Sequence, residues 1–415
     1  MSWPVVPFGE VAEFRNGLNY SKENFGSGLK IISVGDFGSR FSPDFTRLDE
    51  INPEGVAKDS DLLCNGDLLF VRSNGNRELV GRVMLIRDIE DMAVSFSGFC
   101  IRARLIHPDA NPYFYAYLFR SASIRQNLTS GGSGTNISNV SQKTLAKIYL
   151  PFPPANEQSA IVEILSAYDD LIATNQRRIN LLEEAARRIY REWFVALRFP
   201  GYESVPVKDG VPEGWLKSSI SEQTSFFNRG IAPKYDDMAK GRVINQKCIR
   251  DGRISMGPAR RQSKEVKPDR LVQMGDVLIN STGAGTLGRV AQVRSPIEDC
   301  TVDTHVTIAR PINEDSSTYF GQALLNLEPI FSDMGKGATN QLELSRTDIG
   351  AVKIWQPAKH LIVEFDQFVR PMLEQAEQLS AANLSLVTAR DLLLPKLMSG
   401  QLDVSSIQLP DEVEL

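Results

Sequence analysis

The amino-acid sequence predicts an α+β protein built from two similar mixed α/β globules that alternate with two long antiparallel helices forming an intramolecular coiled coil with pseudo-two-fold symmetry. Three observations predict it. The first is an apolar seam at Ile161, Leu165, Tyr168, Ile172, Asn175, Ile179, Leu182, Ala186, Ile189 and Trp193, whose steps of four and three are those of a helix lying against another helix. The second is the return of the same stepping at Leu361, Phe365, Phe368, Met372, Gln375, Leu379, Ala382, Leu386, Ala389 and Leu393. The third is a colinear set of short matches between the two halves of the chain.

The first globule is expected over residues 1–155 and its partner over 215–357. Trp3 opens one and Trp215 the other. Gly66-Asp67-Leu68-Leu69-Phe70 is answered by Gly275-Asp276-Val277-Leu278-Ile279, and Gly81-Arg82-Val83 by Gly288-Arg289-Val290. Later the match becomes a constant offset: Asn136 with Asn340, Ser141 with Ser345, Leu145 with Ile349, Ile148 with Val352, Leu150 with Ile354 and Pro153 with Pro357. Alternation and turn residues predict strands at 29–34, 67–72 and 99–106, and at 242–246, 276–281 and 302–309. Residues 112–127 and 316–331 read as helical.

The first long helix is expected over 156–197 and the second over 358–400. Roughly 40 residues at about 1.5 Å each make a rod of about 60 Å, which has no core of its own and needs a partner helix. The polar seam residues Asn175 and Gln375 are expected to fix register. Residues 198–214, rich in Pro and Gly, read as a linker, and 401–415 as an acidic tail.

Composition narrows the function. Apolar residues at 42% and charged residues at 23% describe a soluble globular protein, no apolar run is long enough to span a membrane, and the start lacks secretory features, so a cytoplasmic location is expected. Cys64, Cys100, Cys248 and Cys300 form no CxxC pair, and His107, His305 and His360 no HxxxH pair, so no metal site is predicted. The net charge of −5 conceals a stretch, 229–270, with twelve Lys or Arg against five Asp or Glu. Gly283-Ala284-Gly285-Thr286-Leu287-Gly288 matches GxGxxG and has Asp303 downstream, but Arg289-Val290-Ala291-Gln292-Val293 alternates like a strand and does not open a helix, so a turn is expected. No catalytic triad, carboxylate pair, Walker A sequence or methyltransferase tetrapeptide stands out, and no catalytic residue is predicted.

Further motifs carry a resemblance. Pro151-Phe152-Pro153-Pro154-Ala155-Asn156-Glu157-Gln158, followed by Ile161-Val162-Glu163-Ile164-Leu165-Ser166, resembles the start of the central conserved helix in type I restriction-modification specificity (S) subunits. Phe199-Pro200-Gly201 through Val211-Pro212-Glu213-Gly214-Trp215 resembles that family's passage into its second half, and Leu392-Leu393-Leu394-Pro395-Lys396-Leu397-Met398-Ser399-Gly400 its close. Gln356-Pro357-Ala358-Lys359-His360 departs from the pattern by lacking the Glu-Gln pair.

The resemblance implies that each globule is a target recognition domain reading one half of a bipartite double-stranded DNA sequence. The helices would set the spacing and dock two modification methyltransferase subunits, with restriction subunits completing the enzyme. It implies no cofactor on this chain, with S-adenosylmethionine and ATP on the partners. A helical scaffold with two protein-binding globules is the alternative, and a nucleotide-dependent enzyme using the 283–288 turn a third reading.

On the DNA-reading expectation, loop side chains make the contacts, Arg and Lys suiting guanine, Asn and Gln adenine, and Ser and Thr phosphates. The candidates are Arg72, Ser73, Asn74, Asn76 and Arg77 with Thr135 and Asn136 in the first globule. In the second they are Asn280, Ser281, Thr282 and Thr286 with Lys336, Thr339 and Asn340. Arg229, Lys234, Arg260, Arg261 and Lys264 would supply phosphate charge.

Overall fold

The computed structural model describes residues 3–38, 41–121, 124–126, 128, 139–337 and 342–404. It divides into two compact units, one of residues 1–172 with 384–415 and one of 173–383. The divisions fall inside the long helices, so each unit holds one globule with a portion of both helices.

In the first unit the strands are β1 (Val5–Pro7), β2 (Ala12–Asn16), β3 (Phe25–Ile32), β4 (Asp49–Ile51), β5 (Leu68–Val71), β6 (Val83–Leu85), β7 (Val94–Phe96), β8 (Cys100–Leu105) and β9 (Tyr149–Pro151). They form an antiparallel sheet β2-β8-β5-β6, a sheet β4-β3-β7 in which β3 and β7 run parallel, and a β1-β9 pair. In the second unit they are β10 (Val207–Lys208), β11 (Val211–Pro212), β12 (Leu216–Ser219), β13 (Thr224–Arg229), β14 (Arg242–Ile244), β15 (Ile249–Arg250), β16 (Arg253–Ile254), β17 (Arg260–Arg261), β18 (Val277–Asn280), β19 (Val290–Gln292), β20 (Cys300–Val302), β21 (Val306–Pro311) and β22 (Lys353–Gln356). The same three assemblies recur as β13-β21-β18-β19, β17-β14-β20 with β14 and β20 parallel, and β12-β22.

The continuous apolar runs of β5 and β18 follow from cores on both faces of their sheets. Leu68 and Phe70 join one cluster while Leu69 and Val71 join another; Val277 and Ile279 are likewise separated from Leu278. The Gly-Asp motif before each strand is structural. The Asp67 carboxylate accepts from the Cys64 N–H and from Arg104, whose guanidinium also reaches the Leu62 carbonyl. Asp276 does the same with the Gln273 N–H and Arg310, and Arg310 reaches the Leu271 carbonyl. Each buried carboxylate is thereby paired and hydrogen-bonded, the condition under which burial of charge is tolerated.

Two expectations shift at turns. The strand expected over 302–309 divides into β20 and β21 because the Asp303 carboxylate accepts the His305 N–H and closes a turn. The helix expected over 316–331 becomes Ser317–Asn326 and Glu328–Asp333, with Pro329 in the first turn of the second piece, where its missing N–H costs nothing. Pro112 opens its helix, Pro112–Arg120, in the same way, with Asn111 accepting the Tyr113 and Phe114 N–H groups. The expected linker is ordered: β10 and β11 form a hairpin, and Phe199 packs 5.2 Å from Trp215.

The long helices are Ala155–Tyr190, continued by a π-helical turn Arg191–Val195, and Lys359–Met398. Their packing is antiparallel within each unit. In the first, Ile161 and Leu165 share a core with Leu397 and Met398, and Asp169 pairs with Arg390. In the second, Tyr190 and Phe194 meet Phe365, and the Asn175 amide donates to Asn383 Oδ1 at 3.0 Å.

Ile161, Leu165, Asn175 and Ile179 are buried, Phe365 fully so, and Tyr168, Ile172, Leu182, Met372, Leu379 and Leu386 half-buried. Three seam expectations are corrected: Phe368 is 53% exposed, Gln375 and Ala382 are exposed, and the buried line runs Leu361, Phe365, Val369, Leu373, Ala376. This helix begins against the globule's own core, beside Tyr319 and Phe194, so its buried stripe follows four-residue steps as far as Leu373 instead of a strict heptad. The polar partner of Asn175 is therefore Asn383, not Gln375.

Candidate nucleic-acid interface

Three loops converge at corresponding places in the two units, and the backbone bonds that join them are the same. At the exit of β2, Leu18 N–H donates to Phe96 O; at the exit of β13, Ile231 N–H donates to Val302 O. The glycine before each is required by close approach. A Cβ on Gly17 would lie 2.2 Å from Ser97 O, and one on Gly230 1.9 Å from Val302 O. The turn between β7 and β8 and that between β20 and β21 each accept a bond from the loop leaving the central strand: Arg72 N–H to Phe99 O at 2.7 Å, and Ser281 N–H to His305 O at 2.8 Å. Farther along, Val140 N–H donates to Arg72 O and Leu344 N–H to Ser281 O, the offset of 204 seen in the sequence.

In the first unit these loops surround a hollow of about 580 Å³ lined by Tyr20, Ser33, Val34, Gly35, Ser73, Asn74, Gly75, Ser97, Phe99 and Asn139. Arg72 is exposed beside it, its guanidinium near the Gly98 carbonyl at 3.4 Å. Asn74 Oδ1 accepts the Asn76 N–H and Asn76 Oδ1 the Glu78 N–H, two consecutive Asx turns that shape the loop. Arg77 opens a short 3-10 turn in this loop. Thr135 and Asn136 lie outside the described residues.

In the second unit the corresponding loops present Thr282, Gln246, Asp303, His305 and Glu343. Thr282 Oγ1 lies 2.6 Å from His305 Nδ1, and Thr286 Oγ1 donates back to the Thr282 and Gly283 carbonyls. Burial raises the Asp303 carboxyl above its ordinary range, opposed by the His305 N–H and imidazole. Two expected contacts are corrected here. Asn280 and Ser281 have no exposed surface: the Asn280 amide donates to the Gln246 and Thr286 carbonyls, and Ser281 Oγ pairs with Thr307 Oγ1 at 2.6 Å. They hold the loop in shape and have no face to offer a base. The 283–288 turn leads into β19, not into a helix, as the alternation of 289–293 predicts. Thr339 and Asn340 lie outside the described residues.

The basic candidates differ in freedom. Arg229 is tied to Glu343 and to the Leu344 carbonyl, and Lys336 is paired with Asp348. Arg260 lies with its guanidinium 3.4 Å from the Tyr235 ring centroid, Arg261 donates to the Ala239 carbonyl and Lys264 to the Ala232 carbonyl. Together with exposed Lys234 they form a basic edge on one loop pair, joined by the Tyr235–Gln262 bridge. Sequence reasoning missed Tyr20, Phe99, Gln246 and His305. The signal that could have found Phe99 and His305 was present: each stands one residue before a matched strand, β8 or β21.

Among the described residues the arrangement offers binding groups and no assembled nucleophile, base and oxyanion donor. Among the described residues no group of His, Cys, Asp and Glu could hold a metal, and no helix is long and apolar enough to cross a membrane.

Residues 2–184 match the family described as the type I restriction modification DNA specificity domain. The chain is 24% identical to the type I restriction enzyme MjaIX specificity subunit of Methanocaldococcus jannaschii over 71% of its own length and 70% of that protein. It is 31% identical to the EcoKI specificity subunit of Escherichia coli K12 over 39% of this chain and 35% of that one. The crystal structure of the type I restriction-modification system S subunit from M. genitalium shares the fold at a TM-score of 0.56 and 17% identity, covering 95% of this chain and 96% of that one. Residues 2–184 thus match a type I restriction modification DNA specificity domain, and the chain as a whole is similar in sequence and in fold to type I specificity subunits.

Proposed function

We propose that this chain gives a type I restriction-modification enzyme its DNA sequence specificity, each unit reading one half of a bipartite duplex target. The observation that carries the reading is the repeated three-loop convergence: one backbone frame, used twice, with different side chains at its rim. A protein-binding scaffold has no need of two congruent frames with divergent polar rims.

The long helices supply the spacing, and their outer faces, where Leu171, Leu181, Leu384 and Leu392 are exposed, suit the docking of two methyltransferase subunits. Chemistry then resides on the partners. The methyltransferase subunits bind S-adenosylmethionine and the restriction subunits use ATP, while this chain binds DNA and its partner subunits, holds no cofactor and catalyses nothing itself.

The test is exchange of residues 215–355 for the corresponding segment of a relative, followed by sequencing of methylated sites in cells carrying the complex. One half of the methylated sequence changes and the other stays. A change in both halves, or in neither, overturns the proposal. Removing one heptad from each helix shortens the preferred gap between the halves.

A further inference from the structure

The two frames agree so closely in backbone that the side chains projecting from equivalent positions can be compared directly. Phe99 and His305 are such a pair. Each ends the turn that follows the parallel strand of its unit, each lends its carbonyl to the loop leaving the central strand, and each turn is closed by the same bond, from Cys100 N–H to Ser97 O and from Val306 N–H to Asp303 O.

Their surroundings differ in kind. Phe99 is 63% exposed and belongs to no apolar cluster among the described residues, although burying a Phe ring would stabilise the fold. It lines the hollow together with Tyr20, Val34, Asn74 and Asn139. An apolar ring beside carboxamides is the combination that suits an A·T pair in the major groove, where thymine presents its methyl group and adenine its N6 and N7. His305 is exposed as well, but its Nδ1 is held by Thr282 Oγ1, which fixes the ring and leaves Nε2 on the far side. A fixed imidazole edge suits a hydrogen bond to a base and has no use for a methyl group.

Resting on the DNA-reading function above, the geometry points to Phe99 and His305 as corresponding specificity-determining residues: Phe99 contacts a thymine methyl in the half-site of the first unit, and His305 hydrogen bonds a base edge in the half-site of the second. Neither needs its unit to distort, because the frame already aims both positions alike.

The experiment uses the chain assembled with its methyltransferase subunits and duplexes of the target found by methylation mapping. The half that survives exchange of 215–355 is the half read by the first unit. Replacing thymines there one at a time by deoxyuridine weakens binding at one position by about three- to fourfold, the worth of one buried methyl group. Deoxyuridine in the other half has no effect. Phe99→Ala abolishes the thymine-uracil difference and leaves the second half as selective as before. His305→Ala relaxes the second half and leaves the first intact. Both residues are exposed, so the melting temperature stays unchanged and a folding defect is recognised if present.

A first half without thymine, indifference to deoxyuridine at every position, or a Phe99→Ala protein that still distinguishes thymine from uracil overturns the inference while leaving bipartite recognition standing. A Phe99→Ala loss that is blind to deoxyuridine also overturns it, since that is the behaviour of a wedge between bases. Absence of any bipartite preference in the unaltered complex is instead the failure of the DNA-reading function itself.

Discussion

The two globular units share a backbone frame and diverge at its rim. Their sheets have the same order, their Gly-Asp turns hold the same ion pair, and Gly17 and Gly230 face the same carbonyl collision. Yet where the first unit has Ser97, Phe99 and Asn139, the second has Asp303, His305 and Glu343. Agreement marks what the fold needs, and divergence is confined to side chains that the shared frame presents at its rim. Arginine shows the distinction within one residue type: Arg104 and Arg310 are locked into the core at corresponding places, whereas Arg72 has Ser281 as its counterpart.

The largest test of the comparison lies at the ion pairs. Asp276→Ala leaves Arg310, only 15% exposed, without its carboxylate, and is expected to cost about 3–5 kcal/mol in urea unfolding. Asp67→Ala is expected to cost less, because Arg104 is 33% exposed and regains water. Equal losses would break the account of the difference between the units.

Next come the close approaches. Gly17→Ala and Gly230→Ala are each expected to lose about 1–3 kcal/mol by forcing the backbone apart, with similar values in the two units, read from thermal unfolding. A neutral Ala at either position would show that the frames are less alike than their bonds imply. Smaller again is Asn175→Ala, which removes the amide facing Asn383; about 0.5–1.5 kcal/mol is expected from the lost hydrogen bond, measured by the same unfolding experiments.

The smallest effect is one of sign. Burial raises the Asp303 carboxyl, and a carboxyl whose folded pKa exceeds its unfolded one contributes stability below the unfolded value that is lost as pH rises through the folded value. Asp303→Asn, which keeps an oxygen for the His305 N–H, is therefore expected to raise the melting temperature at neutral pH relative to the parent, with the gain vanishing as pH falls. The first unit has uncharged Ser97 at this place, so Ser97→Ala brings no such pH dependence.

Much of the fold was legible in the sequence because it repeats. Backbone pairing requires turn glycines and apolar runs at fixed intervals, so Gly66-Asp67 and Gly275-Asp276 announced two similar globules, and the long seams announced two helices. The candidate site was less legible. Asn280 and Ser281 read as polar loop residues, but both are turned inward, the Asn280 amide satisfying the Gln246 and Thr286 carbonyls and the Ser281 hydroxyl pairing with Thr307. Phe99 read as the end of a strand, since an apolar residue beside Cys100 and Ile101 carries no local mark of exposure. Phe368 failed for a related reason: its stepping fitted a heptad, and the neighbouring core set a different stripe.

By itself the sequence determined the number of globules, the length of the helices and the resemblance to type I specificity subunits, because each of these is written in local periodicity or short contiguous motifs. Only the tertiary structure decided that Asn175 faces Asn383, that Arg229 is tied to Glu343, and that Phe99 and His305 stand at one position in two frames. These are meetings between residues far apart in the chain, and their identity depends on which side of a strand or helix the surrounding core has already claimed.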